Sequence, residues 1–300
     1  MDLWIIATLA AAAFQTARFM LQKTLAGGGL TATGATFARF FYSAPLIALL
    51  LGLYLWSSGT ALPDLSAAFW LYGAAGGLAQ ILATVFVVLL FGRRNFAVGI
   101  TLKKTEVIQT VLGGLLILGE GVSPRAFVFI RLGLVGVILL SDPPAVRGAG
   151  LRRLVNPSAA LGLASGVFFA VSGVCYRGAS LELAVDDPLL RAGVTLAAVT
   201  AMQFVVMSAW LRWRKPGEIG RVWAARRRAG FVGLTSMAGS ICWFTAFTLQ
   251  NAALVNALGQ VELILSLMAS VLFFRETVTL REIAGMGVLG VSILGLILAI

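Results

Sequence analysis

The chain contains no histidine and only two cysteines in 300 residues. Without imidazole there is no His-based nucleophile triad, no histidine zinc site and no imidazole proton relay. Cys175 and Cys242 sit inside apolar stretches, where a thiol acts as a small packing group rather than half of a disulfide or a metal pair. Charge is scarce too, at 12% of residues against about a quarter in a soluble domain. No P-loop occurs, so ATP drives nothing here directly. The one acidic doublet, Asp186-Asp187, stands alone before Pro188, and helix-start capping accounts for it. "GMGVLG" (285–290) spells a dinucleotide-type glycine pattern, but it follows no strand and lies in an apolar helical run. These absences argue against an enzyme and call for no cofactor and no metal.

What is present is apolar length. Hydrophobic residues make up 59% of the chain and the mean hydropathy is +0.96. A spanning helix needs roughly 20 apolar residues. Ten such segments are legible, at 3–23, 30–55, 66–91, 95–118, 124–141, 157–180, 188–211, 229–250, 252–274 and 277–299. Glycine, proline or charge clusters such as Gly27-Gly28-Gly29 and Asp186-Asp187-Pro188 separate them. Strand-like alternation is lacking, which excludes a β-barrel. No basic stretch precedes the first segment, which therefore reads as a spanning helix and not a cleaved signal. The expectation is an all-α polytopic membrane protein.

The formal charge of +11 is unevenly spread. With ten spans, one face receives fifteen basic residues, from Lys23 through Arg93, Arg94, Arg147, Arg152 and Arg153 to Arg281. The other receives three: Arg125, Arg177 and Arg191. The positive-inside rule then makes the rich face cytoplasmic and both termini external. The run "LRWRKPGEIGRVWAARRR" (211–228) reads as a basic segment lying on anionic headgroups rather than a nucleic-acid site. Trp4, Trp56, Trp70, Trp210 and Trp213 fall near helix ends as interfacial anchors.

Shifting the sequence by 156 residues lays 95–125 on 251–281, with nine identities in 31 positions. They include Asn95/Asn251, Glu106/Glu262, Glu120/Glu276 and Arg125/Arg281. The shift maps the fourth segment onto the ninth. A five-helix repeat has an odd count, so the second copy enters the membrane inverted, a plan typical of secondary transporters with a midplane site. The domains expected are 1–145, a basic connector at 146–156, and 157–300.

The phrases "LLILGEGVSPRAFVFIRLGLVGVILL" and "VLFFRETVTLREIAGMGVLGVSILGLIL" resemble the end of the EamA-type module of the drug/metabolite transporter superfamily. There an acidic residue closes the fourth helix and a glycine-rich fifth helix follows. The first copy departs from the pattern in Gly-Val-Ser-Pro after Glu120, and the pair Lys103-Lys104 is atypical. The segment "FARFFYSAPL" and the chain length look most similar to bacterial inner-membrane exporters of amino acids, aromatic ones included. The resemblance implies export of small organic solutes by alternating access, two five-helix halves rocking about a central cavity. A broad exporter of cationic or lipophilic compounds is the alternative.

Charges within spans should face a cavity or a partner, since each costs about 2.5–3.5 kcal/mol at mid-membrane on insertion scales. On a continuous helix, Gly99, Lys103, Glu106 and Gln109 share one stripe, with Gly259, Glu262, Ser266 and Ser270 as its counterpart. Lys103 either pairs with Glu106 or serves the substrate. Glu262, with no basic residue at helical spacing, is a protonated structural group, an ammonium site or a coupling-proton carrier. Lys104 would point ~160° away from Glu106. Arg39 suits a substrate carboxylate, a gate or a packing hydrogen bond, while Gln80, Trp243, Asn256 and Gln260 supply small polar and aromatic walls. Gln15, Arg18 and Gln22 form a further polar stripe, Arg131 is expected to be buried, and Pro45 is a candidate bend.

Overall fold

Start signals in the sequence place the helices. The computed structural model describes residues 2–92, 100, 103–104, 106–140, 157–275 and 279–299. Helix α1 covers Leu3–Gly27, α2 Ala32–Ser58 and α3 Ala67–Phe91. Thr31 caps α2 by accepting from the Gly34 N–H at 3.1 Å, and Ser66 caps α3 through the Phe69 N–H at 3.0 Å. Helix α4, Glu106–Gly113, runs into a π turn at Gly114–Leu118 that ends on left-handed Gly119. Then come α5 (Pro124–Leu140), α6 (Pro157–Leu181), α7 (Pro188–Arg214), α8 (Glu218–Ala224), α9 (Arg226–Leu249), α10 (Ala252–Leu258), α11 (Val261–Leu272) and α12 (Leu280–Ala299). Asp187 caps α7 as expected, its side chain accepting from the Leu189 N–H at 2.9 Å. Among the described residues there is no strand, and "GMGVLG" lies within α12.

Each of the ten apolar segments contains helix, and among the described residues seven helical stretches are long and apolar enough to cross a membrane, with Ala252–Leu272 counted as one. The ninth segment is not one helix, because Gly259-Gln260 separates α10 from α11. The connector at 146–156, with Arg147, Arg152 and Arg153, lies outside the described residues, as do Arg93, Arg94, Asn95, Gly99 and Glu276. Two expectations on the outer surface fail. Trp4 is buried and Arg131 is exposed, because α1 packs inside the bundle and α5 stands at its edge against α12.

The most extensive packing is of α3 on α6, α1 on α9, and α5 on α12. Small residues allow the close approaches. A Cβ at Gly76 would lie 2.8 Å from the Tyr176 ring, and one at Gly178 2.9 Å from the Tyr72 ring. Gly162, Gly166 and Ala170, the small-residue row of α6, are all buried. At Gly233 an added Cβ would meet the Cβ of Tyr42 at 2.3 Å and its backbone at 3.1 Å, so α9 and α2 would have to separate. Gly233→Ala should therefore lower stability by about 1–3 kcal/mol, read as a fall in Tm of the purified protein. The same change at Gly230, which has open space around it, should have little effect.

The basic run is docked by its one acid. Glu218 is fully buried, accepts from the Thr31 N–H at 2.8 Å and the Thr31 hydroxyl at 2.7 Å, and pairs with Arg221. Burial alone would raise this carboxyl. The hydrogen bonds from Thr31 and the guanidinium of Arg221 outweigh it and hold Glu218 below the ordinary carboxylate range. A group depressed in this way stabilises the fold at neutral pH, and the stabilisation fades as pH falls through its folded value. Glu218→Gln should cost about 1–2 kcal/mol at neutral pH, and the Tm curves of variant and parent should converge in acid.

Candidate functional site

Two helix breaks face each other at the heart of the bundle. One lies at Lys103-Lys104, just before α4 begins at Glu106; the other at Gly259-Gln260, just before α11 begins at Val261. The 156-residue shift carries one break onto the other. Glu106 and Glu262 each sit in the first turn of a half-helix, where the aligned backbone dipoles favour an anion.

The lysines of the first break hold the carboxylates. Lys103 Nζ stands 3.1 Å from Glu262 Oε2, not on Glu106 as an unbroken helix would have it. Lys104 Nζ lies 2.7 Å from Glu262 Oε2 and 3.2 Å from Glu106 Oε1, and it donates at 3.0 Å to the carbonyl of Gly259, which also accepts from the Glu262 N–H. The expectation that Lys104 turns away from Glu106 fails because helical angles do not carry across a break. Likewise Glu262, isolated on its own helix, gains two ammonium partners from the other half of the chain. All four side chains are buried, and together they are neutral.

Gln15 of α1 joins this tetrad to the wall. Its Nε2 donates to Glu262 Oε2 at 3.0 Å, and its Oε1 accepts from Arg18 at 3.2 Å and from the Trp243 indole N–H at 3.1 Å. The Lys103 ammonium lies over Phe19 at 4.9 Å and Phe169 at 4.5 Å, cation–π contacts that lessen the cost of burial. Arg18 covers the Phe19 ring at 4.1 Å.

Beside the tetrad lies a small cavity lined by Arg39, Gln80, Lys103, Glu106, Trp243 and Asn256 among the expected residues. Gln260 and Glu262 do not line it. Gln260 packs towards α5, where a Cβ on Gly133 would come within 3.0 Å of its amide, and Glu262 is covered by its partners. Gln80 accepts from Gln203 at 3.0 Å, and Asn256 donates to Thr110 at 2.9 Å. Gly259 lets the Trp243 ring reach the break, since an added Cβ there would lie 2.6 Å from the indole.

Arg39 is the unusual member. It is 5% exposed, donates to Ser236 at 2.7 Å and to Ser240 at 3.1 Å, and leaves Nη1 without a partner. Among the described residues no carboxylate pairs with it. The cavity as a whole therefore carries positive charge: a neutral tetrad plus one guanidinium.

The sequence reading missed the aromatic side of the cavity: Phe169, Tyr176, Phe244 and Phe247. Tyr176 stacks on Phe244 with ring centres 4.5 Å apart, and Trp243 on Phe247 at 5.6 Å. The signal was available in part. Phe169, Gly173 and Tyr176 recur at helical spacing, as do Trp243 and Phe247, on faces that also carry polar lining groups.

At one end of the bundle a second ion pair closes the structure. Arg177 meets Glu120 at 2.6 Å and donates to the carbonyls of Phe247 at 2.8 Å and Gln250 at 2.9 Å, so the acid that follows the π turn is bound to the end of α9. The cavity leaves about 30 Å³ for the centres of water molecules. One water needs ~10–15 Å³ by that measure, so a few waters fit and an organic solute does not.

Residues 156–298 match the EamA-like transporter family. That EamA-like half carries Trp243, Asn256, Gln260 and Glu262, whereas Arg39, Gln80, Lys103 and Glu106 come from the other half. No curated protein matches the chain. A solved structure titled "Crystal structure of protein" is similar over 98% of this chain and 99% of its own, at 18% identity and a TM-score of 0.68. The whole chain thus shares that structure's fold. The spans and the family match mark a multi-pass membrane protein, and the family is one of small-molecule transporters.

Proposed function

We propose that the protein is a secondary transporter exporting amino acids, aromatic or other neutral ones such as threonine or methionine, across the bacterial inner membrane by alternating access. In this reading ten spans form two inverted five-helix repeats, residues 1–145 and 157–300, around the cavity. The basic loops are cytoplasmic and both termini external. The pairing of helices supports it: the first segment packs on the eighth as the third packs on the sixth, the exchange a two-fold relation between repeats would produce.

The observation that carries the substrate class is Arg39. A buried guanidinium with a free donor, on a cavity of net positive charge, suits a carboxylate. Glu106 has one oxygen engaged by Lys104 and is the acceptor nearest to hand for an ammonium. The stacked pairs Tyr176–Phe244 and Trp243–Phe247 receive the side chain. A cationic drug, which has no carboxylate to offer Arg39, fits a cavity of net positive charge less well.

In proteoliposomes, labelled amino acid should cross only when protein is present and should be competed by other neutral amino acids. Movement of a lipophilic cation with no amino-acid flux would sink the reading and favour a broad cation exporter. If a proton is coupled, Glu106 carries it, because Glu262 is fully engaged by Lys103, Lys104 and Gln15. Glu106→Gln should then remove the response of flux to a pH gradient while exchange persists. An unchanged response would remove that role.

A further inference from the structure

A groove of about 770 Å³ opens on the side of the bundle between the middle of α2 and the facing turns of α7 and α9. Phe41, Pro45, Phe204, Val205, Trp223 and Leu234 give it an apolar wall, with Trp223 supplied by α8. The walls are held in place by contacts made elsewhere. Phe41 meets the Trp223 ring edge-on at 6.2 Å and the Phe204 ring at 6.0 Å, and the Tyr42 hydroxyl donates to the Val222 carbonyl at 3.4 Å.

The charge beside this groove has one sign. Arg212, Arg214, Lys215, Arg226, Arg227 and Arg228 are all exposed, and the Arg226 guanidinium stands 6.0 Å over the Trp223 ring. The only acid in the run, Glu218, is withdrawn into the fold and neutralised by Arg221. The first turn of α9 holds three arginines and no acidic residue. Cations in the first turn oppose the helix dipole and repel one another, and an external anion would relieve both.

We propose that the groove seats an acyl chain of an anionic phospholipid, with its phosphate among Arg226, Arg227 and Arg228 beside Trp223. The apolar walls would take any lipid chain; the arginines select the headgroup. A lipid bound there would brace α2 against α7 and α9 on the face opposite Arg39.

The test uses the full chain in neutral detergent, titrated with phosphatidylglycerol or with phosphatidylcholine of the same acyl chains. Retention is read by native mass spectrometry and stabilisation by Tm. Phosphatidylglycerol should be retained and raise the Tm at concentrations where phosphatidylcholine does neither. Replacing Arg226, Arg227 and Arg228 by Gln should lower that preference about a hundredfold. Val205→Trp, at a position already 61% exposed, should block retention with the arginines intact. Equal retention of the two lipids, full preference in the triple variant, or the same Tm rise from inorganic phosphate alone would each overturn the proposal. None of these readouts depends on the transported solute, so they stand apart from the amino-acid reading.

Discussion

Lys104→Met should be the most damaging single substitution in this protein, lowering stability by about 3–5 kcal/mol. Lys104 is fully buried and is the one cation shared by Glu106, Glu262 and the carbonyl of Gly259. Its loss leaves Glu106 buried without a cation and the Gly259 carbonyl with only the Glu262 N–H as donor. The expected signature is a large fall in Tm and poor recovery from the membrane. A second change separates charge from packing. Lys104→Met with Glu106→Gln removes one charge of each sign, leaves Lys103 on Glu262, and should recover much of the loss. A Lys104→Met protein as stable as its parent would show that the tetrad contributes nothing to the fold.

Arg39→Leu should have the opposite profile. Among the described residues the guanidinium has an Nη1 with no hydrogen-bond partner and no counter-charge, so its removal costs the fold two hydrogen bonds to serine hydroxyls. Tm should stay close to the parent value. Amino-acid flux should drop by about 10²–10³-fold, the ordinary consequence of deleting one side of a desolvated charge pair. The cause can be checked with substrates. An amino-acid amide, which lacks the carboxylate, should compete poorly against the parent. Should the amide compete as well as the acid, Arg39 binds something other than carboxylate.

The contrast between these two residues shows what was legible in the sequence. Apolar length and the capping signal at Asp187 located helices within a few residues, because both are local properties. Glu106 and Glu262 were found through the repeat. Their partners were not, since the reading assumed continuous helices and a break re-aims every side chain around it. Nothing in "LKKTE" announces that Lys103 reaches across to Glu262, because a contact 159 residues apart is fixed by how the helices pack. The aromatic wall was hidden for another reason: in a chain this apolar, a phenylalanine at helical spacing is ordinary packing until a polar cavity is seen beside it.

The pairing of α1 with α9 and of α3 with α6 has a consequence for how the molecule moves. Surfaces interlocked at Gly76, and at Gly239 where an added Cβ would meet Phe14 at 3.1 Å, do not slide freely. Each pair draws one member from residues 1–145 and one from 157–300, so in the proposed transport cycle the rigid blocks would be hybrids. The line of shear would then run between these pairs and not along the boundary between residues 1–145 and 157–300.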